Sequence, residues 1–299
     1  MAVTSNPYSK RVYSPEEVEW HKRRAEEGDA GSQYLLGLIY WEGNGVEQNY
    51  GLAKDWYMLA AEQGSVMAQY DLAVMYRRGH IVTTNNEQRQ IKYLEWFDKA
   101  ANNGFVEAQY TLGVLYGRGS EGDPDLLRAN MWLSRAAEQG HSGAQCDLGE
   151  HYLLGIGVEV DDEKGLNLII KSAEQGFADG QFRLGSFYFD GSYVKQDYEQ
   201  GLIWYRKAAE QGNTRARWII GQSYHEGRGV KQDMVLAAEW YHRAATEGSS
   251  QEQRDLGLLY ERGCGVEQSM ELAIEWFIKA AERGDAASIK KLRELGVEF

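Results

Sequence analysis

The chain has 299 residues, 43% of them hydrophobic, with only three prolines and a formal net charge of −13. That balance excludes nucleic acid, whose phosphates demand clustered Lys and Arg, and argues against docking on anionic membrane surfaces. No apolar run reaches the roughly 18 residues a bilayer span needs. The N-terminus has no apolar stretch of the signal-peptide kind, so a cytoplasmic protein is expected.

Residues 1–13 read as a polar, flexible leader. A helix follows over 14–28: Ser14 can cap, Pro15 suits the first helical position, and Glu17 completes a capping box. It carries Trp20, and its cluster His21, Lys22, Arg23 and Arg24 reads as a solvated face. It matches the second half of the unit that follows, so it is an N-terminal cap.

From Asp29 the chain repeats itself. Seven blocks cover 29–64, 65–104, 105–140, 141–176, 177–212, 213–248 and 249–284; six have 36 residues and the second has 40. Positions below are counted within a block, and the second half of the long block is aligned on its end. Tyr stands at position 12 in all seven: Tyr40, Tyr76, Tyr116, Tyr152, Tyr188, Tyr224 and Tyr260. Leu or Ile stands at position 8 and a small residue at position 9, as in Leu148 and Gly149. Near the block end come Trp, Ala-Ala and Gly, as in Trp240, Ala244, Ala245 and Gly248. A fixed period of this length marks stacked helical repeats.

Each block reads helix A, loop, helix B. In helix A the apolar positions 4, 8, 11 and 12 form one face of a helical period. Gly at position 9 lets another helix approach, and Gly at position 15 ends helix A. Asn49, Asp125, Asp161, Asp197, Asp233 and Ser269 are the expected N-caps of helix B. In the second block Thr84 and Glu87 fit a capping box that starts helix B about one turn early; the four extra residues read as a surface insertion. In the third, Asp123-Pro124 points to a slightly earlier start. Residues 285–299 match half a repeat, and Lys290, Lys291 and Arg293 give this C-terminal cap a polar outer side. The expected count is sixteen helices and no strand, in one elongated unit.

The pattern resembles the Sel-one-like repeat (SLR) family, relatives of the tetratricopeptide repeats. The resemblance covers residues 29–284, with half repeats at both ends. It implies an all-α, right-handed superhelical α-solenoid of seven helix-loop-helix repeats with half-repeat caps. It also implies a non-catalytic scaffold or adaptor that binds a protein or peptide, as family members do in signalling, quality control and bacterial host-interaction systems. A cytosolic immunity protein that wraps a toxin is the alternative, and a hydrolase comes third. A monomer or weak oligomer is expected. Some secreted members carry a cysteine pair in every repeat; this chain has only Cys146 and Cys264, three repeats apart, which fits a reducing compartment.

Nothing here carries catalysis. The Gly-x-Gly pairs, such as Gly227/Gly229, recur at the repeat period between helices and are turn glycines rather than phosphate loops. Ser288 and Lys291 have the serine–lysine spacing of penicillin-recognising enzymes, but the accompanying elements are missing. The six histidines form no metal-ligand spacing, and Asp161-Asp162-Glu163 reads as a cap with first-turn carboxylates. No catalytic, cofactor or metal residue is assigned.

The expected site is a surface. At about 100° per residue, positions 6 and 13 of helix A point away from positions 8 and 12, on the side that the resemblance makes the inner concave face. Position 6 carries Tyr34, Tyr70, Tyr110, Phe182 and Trp218; position 13 carries Trp41, Arg77, Phe189 and His225. Aromatics mixed with Arg and His are what protein-binding hot spots use. The competing reading is that these rings only tighten the stack.

Overall fold

The computed structural model describes residues 12–119 and 123–298. Among them are sixteen helices and no strand. The cap α1 spans Pro15–Glu26. The A helices are α2 (Ala30–Glu42), α4 (Val66–Arg78), α6 (Val106–Arg118), α8 (Ser142–Leu154), α10 (Ala178–Asp190), α12 (Thr214–Glu226) and α14 (Ser250–Arg262). The B helices are α3 (Tyr50–Glu62), α5 (Asn86–Asn102), α7 (Leu126–Glu138), α9 (Asp162–Glu174), α11 (Tyr198–Glu210), α13 (Met234–Glu247) and α15 (Met270–Glu282), and α16 covers Ala286–Glu294.

The chain separates into two compact units, residues 1–144 and 145–299, where the repeat pattern led us to expect one. A quasi-one-dimensional array has no central core, so its packing is local everywhere. Within each unit an A helix packs most extensively on its own B helix, as α4 on α5 and α10 on α11, and next on the B helix before it.

The helix ends follow the side chains. Asn49, Asp125, Asp161, Asp197, Asp233 and Ser269 all accept a backbone N–H from the first turn of the B helix they cap. Asp125 thereby holds the start of α7 at Leu126, and Pro124 does not advance it. In the second repeat the cap is Asn85, not Thr84: Asn85 Oδ1 accepts from Gln88 N at 2.7 Å, while Thr84 gives its N–H and hydroxyl to Gln88 Oε1. The inserted residues become an extra turn, making α5 17 residues long against 13 in α3. Ser14 and Glu17 form the expected capping box. Residues 1–11 of the leader lie outside the described residues, but Tyr13 is buried and its N–H donates to Asn44 Oδ1 at 3.1 Å.

Packing inside a repeat centres on position 29 of helix B, which the sequence reading did not single out. Tyr57, Phe97, Leu133, Ile169, Tyr205, Tyr241 and Phe277 occupy it, all buried. Each lies against the small residue at position 9 wherever that is glycine; a Cβ on Gly37 would fall 2.3 Å from the Tyr57 ring. Leu148 is 3% exposed, as expected of position 8. The tyrosines at position 12, expected in the core, are only half-buried, because position 29 already fills the centre. Tyr152 instead accepts from Lys164 Nζ at 2.6 Å, with the ammonium 4.1 Å from the ring centre.

A buried amide relay joins successive repeats. Gln at position 5 sends its Nε2 to the carbonyl of the preceding repeat's position 33: Gln69 to Ala61 at 3.1 Å, Gln109 to Ala101 at 3.0 Å, Gln181 to Ala173 at 3.4 Å. Its Oε1 accepts from position 35 of its own repeat, as Gln109 from Gln139 at 2.7 Å and Gln181 from Gln211 at 2.8 Å. The Gln residues near the block ends thus reach back into the stack. In the sixth repeat Arg217 and Glu247 replace the amide pair at 2.6 Å, and Arg217 Nε keeps the link to the Ala209 carbonyl.

Candidate functional site

The rings at position 6 are not turned away from the core. Each is half-buried, and most lie against position 29 of their own repeat. In the first unit Tyr34 meets Tyr57 at 5.7 Å between ring centres and Tyr70 meets Phe97 at 5.4 Å, whereas Tyr110 stacks on His141 at 4.3 Å. In the second, Phe182 meets Tyr205 at 5.5 Å and Trp218 meets Tyr241 at 4.3 Å. Position 13 behaves alike. Trp41 sits on Tyr50 and His80 at 5.0 and 4.9 Å, Phe189 is buried on Tyr198, and His225 faces Tyr241 with its Nδ1 buried and unpartnered among the described residues. Arg77 alone of the nine is exposed. An A helix is flanked by two B helices, so both of its sides are partly covered. The rings pack, and only their outer edges are exposed.

The second unit opens a groove beside them. Its volume is about 360 Å³, and its walls come from three consecutive repeats: Cys146, Asp147 and Glu150 of α8, Asp179, Phe182 and Arg183 of α10, and Arg215 at the start of α12. It exists because the fourth repeat has Cys146 at position 6, where Phe182 and Trp218 put rings. Burial pushes the Cys146 thiol up, and the carboxylates of Asp147, Glu150 and Asp179 push it further. Burial likewise raises the Glu150 carboxyl, against the lowering pull of Arg183, whose Nε contacts its Oε1. The groove is polar, with Asp147, Glu150 and Asp179 set against Arg183 and Arg215. Its residues at positions 3, 7 and 10 follow the i, i+4, i+7 spacing of one helix face, the signal available in the sequence.

In the first unit, burial raises the Asp71 carboxyl to about 7, while hydrogen bonds from Tyr34 and Tyr57 work against that rise. The catalytic candidates separate. Ser288 is buried and donates to Asp285 Oδ2 at 2.7 Å, while Lys291 Nζ lies 2.7 Å from Glu261. Asp161 is a helix cap, and the Gly-x-Gly residues have the positive φ of turn positions. Among the described residues no cluster of His, Cys, Asp and Glu could hold a metal ion, and no helix is long and apolar enough to cross a membrane. Cys146 and Cys264 are both free.

A model of the Sel1 repeat matches residues 30–65, 66–105, 106–141, 142–177, 178–213, 214–249 and 253–285. No curated protein sequence matches the chain. Among solved structures, a protective antigen of uropathogenic Escherichia coli with an SLR fold is 36% identical, with a TM-score of 0.76 over 94% of this chain and 59% of that one. The chain thus spans somewhat over half of that relative. A Sel1 repeat protein from Oxalobacter formigenes is 34% identical, with a TM-score of 0.77 over 94% of this chain and 80% of its own. Seven matched repeats, the helix pairs they describe and two relatives above 30% identity make this chain a member of the Sel1 repeat family.

Proposed function

We propose that this protein is a non-catalytic scaffold that binds an extended, basic segment of another protein along the A-helix face. The reading rests on the groove over the fourth to sixth repeats. It is open, it crosses consecutive repeats, and Asp147, Glu150 and Asp179 line it in a chain of net charge −13. Charge complementarity of this kind steers a partner and fixes its register. The edges of Phe182 and Trp218 supply the apolar part of the contact. The free Cys146 and Cys264 fit a reducing, cytoplasmic setting.

The test is capture of partners from the native cell by the parent chain and by two variants, Asp147→Lys with Asp179→Lys, and Phe182→Leu with Trp218→Leu. Both should keep the parent's thermal melt within a few degrees and lose the captured protein, and the parent's capture should weaken with salt. Unchanged capture by the charge-reversed variant would refute the groove. A single partner held at nanomolar affinity would make the chain a neutraliser of that partner, and several weaker ones an adaptor.

A further inference from the structure

The seventh repeat is joined to the sixth differently from every other neighbouring pair within its unit. In the other described repeats the chain leaves helix B through a glycine with positive φ, such as Gly176 at +87° and Gly212 at +91°. The glycine N–H and the next one then return to the helix, as Gly212 N to Ala209 O and Asn213 N to Ala208 O, both at 3.1 Å. Gly248 is instead extended, with φ −80° and ψ −176°, and neither bond is made there. Ser249 turns to its own helix, its N–H donating to Glu252 Oε2 at 3.0 Å.

The amide relay fails at the same place. Gln253 is 7% exposed, and its Oε1 has no partner among the described residues. Position 35, which should donate to it, is Arg283, and this side chain goes to the Gly248 carbonyl instead. The causes lie just upstream. Thr246 returns its hydroxyl to the His242 carbonyl at 2.8 Å, a bond that competes with regular helix geometry. Glu247 is held by Arg217 at 2.6 Å. Consistently, α13 and α14 pack less extensively than the equivalent pairs α9 with α10 and α11 with α12.

We propose that residues 249–298 open as one cooperative unit while residues 145–248 stay folded, with the hinge at Gly248. In a stack of repeats stability is a sum of repeat and junction terms, so the junction lacking its relay and its helix exit gives way first. The smallest opening that breaks only this junction exposes α14, α15 and α16 together.

Hydrogen exchange of the full chain, read by mass spectrometry, tests this. Amides of α14, α15 and α16 should share one protection level, at least about tenfold below that of α10 to α12. Equal protection in the two groups, or faster exchange confined to α16, would overturn the proposal, because the second pattern is ordinary end fraying. The same substitution at two equivalent sites gives an independent reading. Gln181→Leu removes a made relay and should speed exchange in α10 and α11 severalfold. Gln253→Leu has no relay to lose and should leave α14 and α15 within twofold of the parent; acceleration matching that of Gln181→Leu would refute the hinge.

Discussion

Ser172 and Gly180 face each other across the junction of the fourth and fifth repeats, and they make a sharp test of how repeats pack. Between the first and second, second and third, and fifth and sixth repeats these positions are both alanine, Ala60 with Ala68, Ala100 with Ala108, and Ala208 with Ala216, all 0% exposed. Here the bulk has moved to one side. A Cβ on Gly180 would lie 2.4 Å from Ser172 Oγ, 2.9 Å from its Cβ and 3.0 Å from Ala173 N. Ser172 is 0% exposed and has nowhere to go. Gly180→Ala therefore overpacks the junction, at about 1–3 kcal/mol, and the better helix propensity of alanine returns at most about 1 kcal/mol. The expected net loss is about 1 kcal/mol. Together with Ser172→Ala it rebuilds the alanine pair, and the double variant should match or exceed the parent. Urea unfolding followed by circular dichroism gives the four corners of the cycle, with a favourable coupling of about 1–3 kcal/mol expected. Additivity within about 0.5 kcal/mol would mean that the junction relaxes freely, and the argument from close packing would be wrong.

Leu184→Ala, at a site 2% exposed, should cost about 2–5 kcal/mol in the same assay, whereas Val160→Ala, in the loop before α9 and 59% exposed, should stay within about 0.5 kcal/mol; equal costs would place Leu184 outside the core. Deleting residues 177–212 rejoins equivalent positions and should leave a shorter, cooperatively melting helical protein, while deleting half as much should not; the reverse result would break the repeat frame. Asp71 gives a pH signature. Its carboxyl is raised to about 7 by burial, so between its ordinary 3.8 and that value the folded chain holds a proton the unfolded chain has lost. Stability from this group is full below about pH 4 and is lost as pH rises through 7. Asp71→Asn should therefore match the parent at pH 4 and melt progressively higher than it from pH 5 to 8; a pH-independent offset would refute the assignment.

The caps were legible because one side chain decides each. Asp161 or Ser269 before an apolar run can do little else than accept the free N–H groups of the first turn. Glycine at positions 9 and 15 was legible for the same reason. Position 29 was not, since Tyr57, Phe97, Leu133 and Ile169 share only bulk, whereas the Tyr repeated at position 12 is only half-buried. The relay was missed because glutamine on a helix reads as surface; its recurrence at positions 5 and 35 was present in the sequence, but the partnership joins residues 30 apart. The proposed binding face was half legible. The rings at position 6 were seen, their packing onto position 29 was not, and the groove depends on a cysteine where a ring was the rule.

The second repeat tolerates its insertion for a reason that limits which insertions this protein can accept. Four added residues rotate a helix by about 400°, only about 40° past a full turn. Trp96 and Phe97 consequently keep their buried directions, and α5 simply projects about 6 Å further at its start. Two added residues would rotate by about 200° and turn Phe97 outward. Helix B can therefore lengthen in steps of roughly a turn and not between them, whereas the loop ahead of it is free of that quantum.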